Sequence, residues 1–132
     1  MAATKWREGN RARWVGVRPG HEGTQVVKSA TCGGVATAIL YTVTAGKVLL
    51  LFNFTLSCDG ATGGNAGMFV RDDGDVFQYN LYWIDRINAI PTVCSMAMWV
   101  PIEIPAGYDI VLQGGGATHY ERGFIHGVEI DA

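Results

Sequence analysis

The chain has 132 residues, 48% of them apolar and 17% charged, with 18 glycines. That length suits one domain with a core of its own, and the balance excludes a disordered tail. The net charge of −2 is unevenly spread: residues 1–23 hold five basic and two acidic side chains, net +3, and residues 24–132 hold five basic and ten acidic, net −5.

Residues 1–23 show no steady period. "RWVGVRPGHEG" places Gly16, Pro19, Gly20 and Gly23 close together and reads as an extended, turn-broken arm. Trp6 and Trp14 are costly to leave in water, so the arm is expected to pack on its own body or on a partner. Arg11, Arg13 and Arg18 make it basic. Five cations interrupted by Glu8 and Glu22 form a poor phosphate-binding patch, so the expected partner is an acidic protein surface, not nucleic acid. "MAATKWREGNRARW" has no apolar signal core, and the longest aliphatic run, 48–52, is far too short to span a bilayer. The expectation is synthesis in the cytoplasm without a signal peptide, and no membrane association.

From Thr24 onward the text becomes strand-like, and 24–132 is expected to form one β-sandwich. "TQVVKSA" is a strand, "CGG" breaks it, and "VATAILYTV" follows. In "KVLLLFNFTLSC" the alternation assigns Val48, Leu50, Phe52, Phe54 and Leu56 to one face. "DGATGGNAG" is a loop. "MFVR" and "DVFQYNLYWI" flank "DDGD", which signals a hairpin. "VCSMAMWV" is a strand with apolar residues on both faces. Pro101 and Pro105 bracket "IEI", as suits a bent or edge strand. "YDIVLQ", "GGG", "ATHYE" and "RGFIHGVEI" complete the chain. No window has a capped helical period. About eight short strands with glycine turns predict an all-β, jelly-roll-like antiparallel sandwich. "YTVTAGKVLLL" and "IEIPAGYDIVL" repeat one phrase, an Ala-Gly bend between two apolar runs. The repeat reads as two corresponding corners of the sandwich.

Chemical motifs are sparse. Cys32, Cys58 and Cys94 fit no zinc spacing. Cys58 and Cys94 read as small buried hydrophobes, whereas Cys32, in "SATCGGVAT", is the candidate exposed thiol, with an intermolecular disulfide as a minor alternative. Asp72, Asp73 and Asp75 in "RDDGD" lack the EF-hand pattern and suit a hairpin tip. "QGGGATH" lacks the phosphate-loop lysine and a following helix, so it reads as a turn or a crowded contact at a symmetry axis. His119 and His126 are seven apart without a His-x-His pair, which argues against a cupin metal site. Glu103, Asp109, Glu121 and Glu129 are candidate paired carboxylates, with an outward strand face as the plainer reading. No nucleophile motif is present. The expectation is a non-enzyme with no cofactor and no metal. Tyr79, Tyr82 and Trp83 in "YNLYWIDR" are candidates for a glycan platform or a subunit contact.

In its organisation the chain resembles small structural proteins of tailed bacteriophages, of the capsid decoration (cement or head-spike) type. The resemblance rests on the arm "RWVGVRPG" and the corners "VTAGKVLLL" and "PIEIPAGYDIVL". It implies a virion protein, commonly a homotrimer, that binds the major capsid protein or another virion protein. Its arm would grip neighbouring shell subunits through Trp6, Arg11, Arg13, Trp14 and Arg18. The alternatives are a tail or head accessory, a lectin-like module on a surface glycan, and a cupin-like enzyme.

Overall fold

The computed structural model describes residues 23–34, 36–60, 64–86, 92–116 and 119–132. They form eight strands: β1 (Thr24–Gly33), β2 (Thr37–Thr42), β3 (Lys47–Gly60), β4 (Gly64–Arg71), β5 (Phe77–Arg86), β6 (Thr92–Ile104), β7 (Asp109–Gln113) and β8 (His119–Asp131). The first sheet has the order β1-β8-β3-β6, the second β2-β7-β4-β5. β4 pairs with β5, β3 with β6, β2 with β7 and β1 with β8, all antiparallel. The chain is thus one long hairpin, closed at the β4–β5 turn, whose successive pairs fall alternately in the two sheets. That winding is an eight-stranded jelly roll, as the strand count and turn spacing predict.

The closing turn is built by Asp72. Its Oδ1 accepts N–H bonds from Gly74 and Val76, both 2.9 Å, and Oδ2 accepts one from the Gln78 amide. These bonds account for an Asp at this position as a turn former.

The repeated phrases are corners that meet. In a rolled hairpin the β2–β3 connection lies against the β6–β7 connection. The Val43 N–H donates to Tyr108 O and the Gly107 N–H donates to Val43 O, each at 2.9 Å. Gly46 and Gly107 take φ of 75° and 79°, a region that costs a residue with a Cβ about 1 kcal/mol or more. The "GGG" run is crowded by the chain itself: a Cβ on Gly115 would stand 1.5 Å from Asn65 O. The contact expected at a symmetry axis is intramolecular.

The core lies between the sheets and includes Leu49, Leu51, Phe54 and Leu56 of β3, Met68 and Val70 of β4, and Ile110 and Leu112 of β7. Full burial of such a side chain stabilises the fold by about 1.5–3 kcal/mol before entropy is counted. The alternation expected along β3 is broken. The register with β8 shifts between Leu51 and Asn53, leaving Phe52 as the extra residue of a bulge. Phe54 and Leu56 therefore face the core, whereas Val48, Leu50 and Phe52 join Val128 and Ile130 in a second buried cluster on the outer face of the first sheet. Gly23 lies against Val128 and Ile130 of this cluster. "VCSMAMWV" and "IEI" are one strand, β6, at a sheet edge as the prolines suggest. Its pairing to β3 lapses between Ala97 and Ile102, just where Pro101 removes a donor.

Candidate functional site

The side chains singled out in the sequence do not converge. Trp6, Arg11, Arg13, Trp14 and Arg18 lie outside the described residues. Tyr79, Tyr82 and Trp83 fall on β5, and its register divides them. Tyr79 and Tyr82 stand opposite the core residues Val70 and Met68, while Trp83 stands opposite Gly67. Residues directly opposite share a face, so the two tyrosines turn toward the space between the sheets and Trp83 turns outward. Burial pushes the Tyr79 phenol above its usual range, and a hydrogen bond with Cys94 does so for Tyr82. The Trp83 ring packs against Gly67, beside the Phe69–Phe77 ring pair at 5.8 Å. The three aromatics are not one platform.

The four candidate carboxylates are also dispersed. Asp109 accepts two hydrogen bonds from Arg71, at 3.0 and 2.9 Å, and another from Thr42, on the outer face of the second sheet. Glu129 accepts the Thr44 N–H at 2.8 Å. Glu121 is fully buried between the sheets beside Cys58. Glu103 stands opposite Leu50 on the outer face of the first sheet. No two form the facing pair that glycoside hydrolysis requires.

Cys32 is a correction. It is 5% exposed at the end of β1, opposite Glu121, and its Sγ donates to Ala36 O at 2.9 Å. The glycine-rich context suggested a loop, but β1 continues through it. Cys58 is buried as expected and Cys94 is half-buried. His126 lies on the outer face of the first sheet between Gln25 and Asn53, its ring nitrogens 3.0 and 3.4 Å from their side-chain amides. The described part of His119 is its backbone.

Two surfaces stand out: one on the strand whose sequence is apolar on both faces, which suggested burial by a neighbouring sheet or subunit, and one that the sequence did not single out. The first is β6 itself, an edge strand with exposed apolar side chains on both faces: Val93, opposite Ser57, is 67% exposed on the outer face, Met96, opposite Phe54, 42% exposed on the inner one, and Trp99 and Val100 are 79% and 54% exposed. Among the described residues nothing pairs with the far edge of β6 or β5. The second is a trough of 420 Å³ on the outer face of the first sheet. The register builds it in two rows. Ser29, Phe124 and Thr55 are directly opposite one another, and so are Thr31, Arg122 and Ser57. Each long central side chain of β8 thus has a hydroxyl on either flank. Thr55 and Ser95 hydroxyls are 3.0 Å apart, extending the first row to β6.

No protein-family model matches the chain, and no curated protein sequence does. Among solved structures it is similar to a protein of the disulfide-linked pili that form Bacillus endospore appendages, at 12% identity over 87% of this chain and 95% of that one, with a TM-score of 0.38. It is also similar to a CBM4 structure, at 9% identity over 82% and 94% with a TM-score of 0.39. A third is the N-terminal cellulose-binding domain of Cellulomonas fimi β-1,4-glucanase C, at 12% identity over 88% and 98% with a TM-score of 0.38. At such identities and TM-scores these likenesses carry no functional argument.

Proposed function

We propose that the protein is a non-enzymatic structural subunit of a virus particle, of the capsid decoration type. Its sandwich self-associates, and its N-terminal arm grips neighbouring shell proteins. The observation that supports this reading is the exposed apolar edge of β6. A long, unpaired, hydrophobic edge strand is an aggregation hazard in a monomer and an interface in an oligomer. Trp99 in particular is the type of side chain that anchors interfaces. A homotrimer about a three-fold axis would cover this edge in every copy, and multivalent arms would then add their grip. A head or tail accessory would use the same surfaces. The lectin alternative through Tyr79, Tyr82 and Trp83 is weakened because those side chains do not share a face.

Sedimentation of the purified protein tests self-association. The expected species is three times the chain mass of 14.2 kDa. Trp99→Glu and Val93→Lys should each shift it toward the monomer with the sheet spectrum unchanged. A wild-type monomer at micromolar concentration, or variants that remain fully assembled, would overturn the proposal.

A further inference from the structure

The trough on the first sheet is a second surface that adjoins the β6 edge, since Thr55 and Ser57 of its lining stand opposite Ser95 and Val93. Its lining combines three chemistries in fixed register. Arg122 supplies a cation whose guanidinium lies over the Tyr120 ring, 5.3 Å from its centroid. Among the described residues no carboxylate stands within ion-pair distance of it. It is thus a pre-oriented positive charge without a direct ion pair, with the Asp59 carboxylate further along the same face beyond Tyr120, on a body of net charge −5. Phe124, 38% exposed, presents an apolar ring beside it. Ser29, Thr31, Thr55 and Ser57 flank both with hydroxyls, each able to donate and to accept.

We propose that this trough binds an acidic saccharide. The sugar carboxylate would sit on Arg122, the apolar C–H face of a ring on Phe124, and the sugar hydroxyls on the flanking Ser and Thr. Guanidinium and carboxylate match as a planar, two-bonded pair. Sugar hydroxyls are both donors and acceptors, and so are the groups that line the walls. A peptide strand is disfavoured as the occupant, because β8 is paired on both sides and has no free edge to extend. Nucleic acid is disfavoured because one lining cation on an acidic body cannot neutralise a run of phosphates.

The test is an NMR titration of the full chain with oligogalacturonate, oligosialic acid and an uncharged maltooligosaccharide. At least one acidic oligomer is expected to shift amides of β1, β3 and β8 around the trough at millimolar concentration, and the uncharged one to shift them far less. Arg122→Gln should weaken binding about tenfold or more. Ser29→Trp, at an exposed position of β1, should fill the trough and block it, with amide dispersion confirming that both variants fold. The proposal is overturned if neither acidic oligomer shifts these amides, if the uncharged one binds as well, or if both variants bind like wild type. The oligomeric state, read on the same samples, scores the assembly proposal separately.

Discussion

At the scale of single residues, Cys32 shows how neighbours in space overrule neighbours in sequence. Its local text, Thr-Cys-Gly-Gly, reads as an exposed break. The strand nevertheless continues to Gly33, and the pairing of β1 with β8 puts Cys32 on the inner face opposite Glu121. Burial is the main cause that pushes its thiol above the usual range, and the nearby Glu121 adds to the rise. Two outcomes follow. The thiol should resist alkylation in the native protein at neutral pH and react on unfolding. Because its folded pKa is raised, its neutral form contributes stability that is complete below the ordinary thiol value, about 8.5, and declines as pH rises through the folded value. Thermal unfolding of wild type and Cys32→Ala between neutral and alkaline pH would reveal this as a gap that narrows with rising pH. A gap that widens would mean that the thiolate is the stabilised form.

At the scale of elements, the strands were legible because alternation, glycine turns and the Asp-Gly hairpin all express local geometry. The "TAG" and "PAG" phrases were legible as corners for the same reason, since a left-handed glycine is a local requirement. What alternation could not show was the bulge in β3. Leu-Phe-Asn-Phe alternates well enough, yet one extra residue reverses every side chain beyond it. Deleting Asn53 would only remove the bulge, with Phe52 taking its place opposite His126 and Phe54 still opposite Ile125. Inserting one Ala after Asn53 should be far worse than truncating a core ring. Phe54→Ala should cost about 3–5 kcal/mol in urea unfolding, the usual cost for a buried Phe, and leave a cooperative transition. The insertion would send Phe54 and Leu56 outward, or force β3 out of register with both β6 and β8, so no cooperative transition is expected. An insertion variant as stable as Phe54→Ala would show that the strand absorbs a second extra residue at the bulge. The trough was illegible on the same grounds. Ser29, Thr55 and Phe124 are a modest set in sequence and become a row only through two interstrand registers.

At the scale of the whole molecule, the distribution of charge and the winding of the chain bear on one question, the role of the arm. The body carries the acidic excess and the first 23 residues the basic one. Gly23 meets the body on the outer face of the first sheet, beside Val128 and Ile130, and the exposed β6 edge belongs to the same sheet. An oligomer formed through β6 would therefore attach its arms to one face, the arrangement in which several weak grips add. If the arm is the grip, Trp6→Ala with Trp14→Ala should abolish co-purification with particles. The same double variant should keep the wild-type sedimentation value, because the β6 edge is untouched. Arg11→Ala, Arg13→Ala and Arg18→Ala combined should weaken retention and reduce its sensitivity to salt, since fewer charges are then screened. Retention of the double-Trp variant at wild-type level would remove the arm from the binding account. Loss of the oligomer in that variant would instead assign the arm to contacts between copies of this chain.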